Sequence, residues 1–473
     1  MNKKVVKAGI GYTVGNYLLK GLTFFTLPIY ARMLSTEDFG YYSVFLSYET
    51  ILFIVLGFAI HSSYKSAKYR FDDQKGYSYA NYVSSTMILL CTSTFIWLLA
   101  VNIFSKSFSR LLGLDRLSLN LLVLLSFSTA VISCFNADAS LNYKYNSYLL
   151  VSGINAISNT ILSIILILTL FQKNRYMGRV LGTLVPILCL AVLIVIKYIG
   201  LARPNRINEY LKWGLRYSFP IIFHGISQVI LGQFDRIMIK SIQNVAVSGI
   251  YSFAYNIFTV VQVTANSLDS VWSTWAFERL NVQDYKSIRK YSNYYVLGMF
   301  IFFICIMLVS PELILFLGSK KYTDARYVVI PIICAGYFTF LYTLPSVIEY
   351  YYEKTKYMAV STIMAAVINI GLNAYFIRKY GYVAAAYTTL FTYILYFLLH
   401  LIISKIIIGK FIFSTKYLLV TSIVVIVMNF LCIILIDMWI IRWGLTLILV
   451  IVSLVFEERN FGIIRLRLKK NES

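Results

Sequence analysis

Apolar residues along this chain gather into long stretches separated by short connectors that carry most of the charge. Each stretch runs about 18–25 residues, which matches the ~30 Å hydrocarbon core of a bilayer at ~1.5 Å of rise per helical residue. A backbone in lipid has to satisfy its own amides and carbonyls, so these stretches are predicted to be helices. The predicted spans are 9–34, 40–64, 80–104, 117–139, 148–171, 177–200, 211–234, 246–272, 292–317, 327–350, 357–378, 382–404, 416–436 and 439–456. The fold class that follows is an all-α polytopic membrane protein with about 14 transmembrane helices.

The chain also carries signs of duplication. Gly40-Tyr41-Tyr42-Ser43 opens the second span and Gly249-Ile250-Tyr251-Ser252 opens the eighth; Asn159 in the fifth answers Asn369 in the eleventh. Gly178-Arg179-Val180 and Gly381-Tyr382-Val383 likewise stand at the sixth and twelfth. Six spans is an even number, so two six-helix bundles would share one orientation and relate by a pseudo-two-fold axis along the membrane normal. The expected domains are residues 1–200, 201–408 and a pair of additional helices with a basic tail, 409–473.

Polar residues inside the spans fall at helical spacing on particular helices. Gly9, Thr13, Asn16, Lys20 and Thr23 share a face of the first span, with Arg32 near its far end. Ser43, Ser47, Thr50, Gly57 and His61 do so in the second, and Tyr217, His224, Gln228 and Asp235 in the seventh, with Arg236 beside them. The eighth has the fullest stripe: Ser252, Asn256, Thr259, Gln262, Asn266, Asp269 and Ser273. Small residues alone suit helix packing, as the Gly11–Gly15 and Gly178–Gly182 spacings do. Lys20 differs, because by rise it lies about 17 Å inside the first span, where a charge costs roughly 2.5–3.5 kcal/mol. A water-filled cavity lined by the first, second, seventh and eighth spans accounts for it. Glu49, Asp235 and Asp269 are candidates for coupling to an ion, as are Asp138 and Glu349; each equally suits a Lys or Arg partner.

Composition narrows the functions available. Hydrophobic residues make up 59% of the chain and charged residues 13%, which leaves no room for a sizeable soluble domain. The longest connectors, around 64–80 and 273–293, are too short for a catalytic module, so the protein is not expected to be an enzyme and no catalytic residue is assigned. The net charge of +23 sits mainly in connectors, where it sets topology and does not point to nucleic acid. One set of alternate connectors holds 26 of the 43 basic residues and the other 15, which places both termini in the cytoplasm. Cys91, Cys134, Cys189, Cys305, Cys334 and Cys432 all lie in spans, and His61, His224 and His400 lie on separate ones, so no metal or cofactor is expected. Pro28, Pro186, Pro220, Pro331 and Pro345 read as kinks. The first span is expected to serve as its own targeting signal.

The segment Leu27-Pro28-Ile29-Tyr30-Ala31-Arg32-Met33-Leu34-Ser35-Thr36-Glu37-Asp38-Phe39-Gly40-Tyr41-Tyr42-Ser43 resembles the N-terminal signature of the bacterial polysaccharide export family, the Wzx-type oligosaccharide flippases. That family belongs to the multidrug/oligosaccharidyl-lipid/polysaccharide exporter superfamily. The resemblance implies two six-helix bundles around a central cavity and cargo of undecaprenyl-diphosphate-linked repeat units, moved from the cytoplasmic to the outer leaflet of the bacterial inner membrane. It implies an anion-binding role for Arg32. The expected activity is therefore export of a lipid-linked oligosaccharide for cell-surface polysaccharide (O-antigen, capsule or exopolysaccharide) by alternating access. Lys20 and Arg32 would meet the diphosphate, with Asn16, Arg236, Asn256, Gln262 and Asn266 completing the substrate-binding set. Membrane lipids, a polysaccharide polymerase and glycosyltransferases are the partners to expect. The alternatives are a lipid II flippase or a multidrug/cation antiporter of the same superfamily, and from another class a membrane oligosaccharide polymerase.

Overall fold

The computed structural model describes residues 24–71, 77–202 and 206–461, together with Gly15 and Gly21, and these residues contain helices without strands. Among the described residues, eleven helical segments are long and apolar enough to cross a membrane. Three further predicted spans coincide with α1 (24–33), α9 (Ile207–Ile242) and α17 (Trp439–Phe461), whose apolar part is Trp439–Val455. The chain is a multi-pass membrane protein of all-α class.

The signature segment has a structural reason. Ser35 caps α2 (Thr36–Leu56): its hydroxyl accepts from the Asp38 amide at 2.9 Å while the Asp38 carboxylate accepts from the Ser35 amide at 3.4 Å. The other Asp38 oxygen accepts from the Tyr176 amide at 3.1 Å, tying the start of α2 to the start of α8 (Arg175–Leu201). Ser-x-x-Asp here both starts one helix and registers it against another.

The second predicted span is not continuous. α2 ends at Gly57, where a Cβ would meet the Phe53 carbonyl at 2.7 Å and Ala130 at 3.0 Å. Phe58 and Ala59 then take left-handed backbone, a 3₁₀ turn covers Ile60–Ser63, and α3 (Tyr64–Arg70) follows. His61 therefore leaves the helical face that Ser43, Ser47 and Thr50 share. The tenth span is divided too, into α12 (Arg326–Leu341) and α13 (Thr343–Tyr351).

Other helices outrun their hydrophobic stretches. α10 (Val245–Asn281) and α11 (Tyr285–Leu317) leave only three residues between them, so the expected connector near 273–293 is mostly helix. Hydropathy marks where lipid ends, whereas a helix continues until a cap stops it. Asp284 is that cap: it accepts from the Ser287 amide at 3.1 Å, and this bonding with Arg279 nearby holds its carboxyl below the usual carboxylate range.

The chain forms two compact units, Met1–Lys240 and Ser241–Ser473. In the first, α6 (Arg116–Leu141) is central. One core joins α3, α4 (Tyr79–Ile103), α6 and α9 around Tyr64, Tyr82, Met87, Val131 and Tyr210; a second joins α2, α6 and α8 around Val44, Leu122 and Val180. In the second unit α12 takes the central place, with almost every residue from Val328 to Leu341 buried. It packs on α10, α11, α15 (Val383–Ile408) and α16 (Thr415–Ile434). The units repeat a turn: Tyr143 and Glu353 both have positive φ, and the next amides, Lys144 and Lys354, bond the carbonyls of Ala139 and Glu349.

Candidate functional site

Glycine sets the closest helix approach in the first unit. A Cβ on Gly182 would lie 2.4 Å from the Ser163 Cα, and one on Gly178 would lie 3.1 Å from the Ile167 amide nitrogen. α8 thus rests on the backbone of α7 (Tyr145–Leu168), as small residues allow where lipid supplies no hydrophobic drive between helices. Arg179 stands between these glycines, and the close seam brings it to the side chains of α7. Its Nη1 donates to Asn159 Oδ1 at 2.6 Å, Ser163 Oγ at 2.8 Å and the Tyr30 hydroxyl at 3.0 Å. Its guanidinium carbon lies 3.8 Å from the Tyr30 ring centroid and 4.9 Å from that of Tyr42.

The second unit has a neutral counterpart. Asn369 on α14 (Thr355–Tyr380) accepts from Asn373 at 3.0 Å and reaches Thr389 and Thr392 of α15 at 3.4 and 3.5 Å. Asn159 and Asn369, matched in sequence, therefore hold corresponding helix pairs.

Of the expected binding residues, Lys20 and Asn16 lie outside the described residues. Arg32 is exposed on α1. Arg236 is buried on α9, where it donates to the Gly232 carbonyl and to Gln233 of its own helix. On α10, Asn256 and Gln262 are half-buried and Asn266 is exposed. Gln262 and Asn266 line a crevice with Thr339 and Thr343 whose volume is about 10 Å³, room for about one water. Asp269, a turn further along, lies beside Thr343, whose hydroxyl donates to the Phe340 carbonyl at 2.9 Å, and its own Oδ1 is buried without a partner among the described residues. Gln262, Asn266 and Asp269 are thus brought together, with two threonines from α12 and α13 that sequence periodicity did not single out.

The buried acids follow separate logics. Asp138 accepts from the Tyr79 and Tyr198 hydroxyls at 3.1 and 2.8 Å and from Asn142 at 2.8 Å, so neutral donors satisfy it without a Lys or Arg. Glu349 pairs with His400 at 2.6 Å, both fully buried, with Tyr342 and Tyr396 against the imidazole. Glu49 is buried beside the Thr129 hydroxyl, with Oε1 unpartnered. Asp235 is buried on α9. Among the described residues no group of three His, Cys, Asp or Glu side chains is placed to hold a metal.

Known proteins resemble this chain at several levels. A Lsg locus protein of Haemophilus influenzae is 20% identical over 384 residues, which span 78% of this chain and 90% of that protein. The fold matches that of the lipid II flippase MurJ in its inward closed conformation, with a TM-score of 0.71 over 95% of this chain and 99% of that one at 17% identity. It also matches an inward-facing multidrug resistance MATE family transporter of the MOP superfamily, at a TM-score of 0.64 and 15% identity over 83% and 95% of the two chains. Residues 5–273 match the family model described as "Polysaccharide biosynthesis protein", and this chain belongs to that family.

Proposed function

We propose that the protein is a flippase that carries a polyprenyl-diphosphate-linked oligosaccharide from the cytoplasmic to the outer leaflet of a bacterial cytoplasmic membrane, for cell-surface polysaccharide synthesis. The observation that carries this reading is the polar face of α10, where Asn256, Gln262 and Asn266 offer amides to sugar hydroxyls from a membrane-spanning helix. A diphosphate and its sugars cannot cross hydrocarbon unaided, whereas a polar, cationic path can host them while the polyprenyl tail stays in lipid. Lys20 and Arg32 supply the cationic part of this reading, and Glu49, Asp235 and Asp269 are its candidates for ion coupling. Alternating access needs no bond to form or break.

The family match supports a polysaccharide unit as cargo over lipid II. An antiporter for organic cations calls for an acidic path, to which Lys20 and Arg32 are ill suited. The test replaces the two cations. Lys20→Ala and Arg32→Ala should accumulate normally yet lose polysaccharide export, each weakening diphosphate binding by about ten- to hundredfold. Lys20→Arg should keep more function than Lys20→Ala. Wild-type export by both alanine variants at matched protein levels would remove the anion-binding role.

A further inference from the structure

The seam between α7 and α8 holds a cation that has no counter-charge among the described residues. All three side-chain hydrogen bonds of Arg179 leave from Nη1 and end on neutral oxygens, those of Asn159, Ser163 and Tyr30. Among the described residues no carboxylate lies within ion-pair distance of it. Asp38, on the neighbouring helix, is occupied by Ser35 and the Tyr176 amide. A half-buried charge in a membrane protein is costly unless it is paired, and Arg179 is held in a fixed orientation by neutral groups.

The fixing is asymmetric. Guanidinium carries five N–H donors in a planar fork, and anchoring through Nη1 uses one corner of it. Nε and Nη2 make no hydrogen bond to the described residues, and together they form the edge that matches two oxygens of one anion. The Tyr30 and Tyr42 rings hold the plane, and the Gly178 and Gly182 contacts hold α8 against α7. Arg442 on α17 differs, because it spends its whole fork on protein acceptors, a carboxylate among them.

We infer that Arg179 is a phosphate-binding residue: the Nε–Nη2 edge receives two oxygens of a phosphoryl group carried by a lipid, in a site walled by Tyr30 and Tyr42 and oriented by Asn159. The phosphoryl group comes from the polyprenyl-diphosphate cargo or from an anionic phospholipid headgroup. The first source rests on the proposed function; the site itself does not.

The test measures lipid binding to the purified full-length protein in phosphatidylcholine nanodiscs by native mass spectrometry, with a polyprenyl diphosphate in one arm and phosphatidylglycerol in the other. Arg179→Gln should weaken binding by about tenfold or more in at least one arm, and Arg179→Lys less so. The decisive variant is Asn159→Asp. It leaves Arg179 in place and puts a carboxylate on Nη1, so it should leave the protein folded, with unchanged or raised thermal stability, while lowering anion binding by about tenfold. Binding lost in the diphosphate arm alone assigns the site to cargo; loss in both arms assigns it to phosphoryl groups of either source. Unchanged binding in both arms for folded Asn159→Asp and Arg179→Gln would overturn the inference. If the site binds phosphate yet Arg179→Gln cells export polysaccharide normally, the inference stands and its link to cargo falls.

Discussion

Arg442 offers the sharpest test of how the second unit is held together. Its side chain is 1% exposed and its whole fork is engaged: Nε on the Leu435 carbonyl at 3.0 Å, Nη2 on the Ile436 carbonyl at 2.9 Å, Nη1 on the Leu308 carbonyl, and both terminal nitrogens on the Glu312 carboxylate. The arginine therefore closes the end of α16, starts α17 and clamps both to α11. Adding the hydrogen bonds one by one at ~1.5–3 kcal/mol each would overstate the effect, because desolvating the ions offsets much of it. The relevant quantity is what truncation leaves behind: a carboxylate and three carbonyls without their cation. Breaking a fully buried pair costs about 3–5 kcal/mol, and with Glu312 28% exposed the loss here should lie at or below the lower end of that range, whereas replacing both partners by apolar residues of similar size is often neutral. Arg442→Ala should therefore lower the thermal midpoint of the purified protein clearly, and Arg442→Met with Glu312→Leu should recover most of the loss. Trp439, about a turn before Arg442 on α17, and Trp443, the residue after it, make quencher access to their fluorescence a local readout. If Arg442→Ala unfolds like the wild type and the tryptophans are no more accessible, Arg442 does not clamp these helices.

Three further expectations follow from the same geometry. Gly182→Val should separate α7 from α8 and lower stability by several kcal/mol at most, about 1–3 as for an overpacked core, because its side chain would meet Ser163 backbone and not a flexible tip; a variant as stable as wild type in chemical unfolding would contradict the seam. In a background without cysteine, single cysteines at Thr259 and Asn266 should react with a water-soluble thiol reagent while one at buried Val425 should not, and equal labelling would mean that the α10 stripe only packs helices. Reporter fusions after residues 75 and 212 should signal cytoplasm and one after residue 321 the exterior; exterior signal at 212 would break the six-plus-six reading of topology.

What could be read from the chain and what could not divide on physical lines. Span positions were legible because lipid imposes one requirement on every spanning segment, and the Gly178–Gly182 spacing was legible because close approach needs small residues a turn apart. Helix ends were harder. α10 and α11 continue past the apolar stretch until Asp284 caps the next helix, a signal that hydropathy does not contain. The break after Gly57 depends on left-handed backbone at Phe58 and Ala59, residues that give no hint of it. Pairings across helices were hidden for another reason: Glu349 and His400 lie far apart in sequence, on α13 and α15, and only packing joins them. Arg179 was visible as a charge at the start of a span, but the Asn159, Ser163 and Tyr30 groups that hold it come from two other helices.

Movement of a lipid-linked oligosaccharide between leaflets can be measured by reconstitution. Purified protein in liposomes carrying a fluorescent polyprenyl-diphosphate-linked oligosaccharide should expose the inner-leaflet lipid to a membrane-impermeant reagent that cleaves or quenches the sugar, and Lys20→Ala protein should not. Liposomes without protein should react only on their outer half. If the wild-type protein, folded and correctly inserted, leaves that half-protected state unchanged in the presence of proton, sodium and electrical gradients, the protein is not a flippase for this class of lipid.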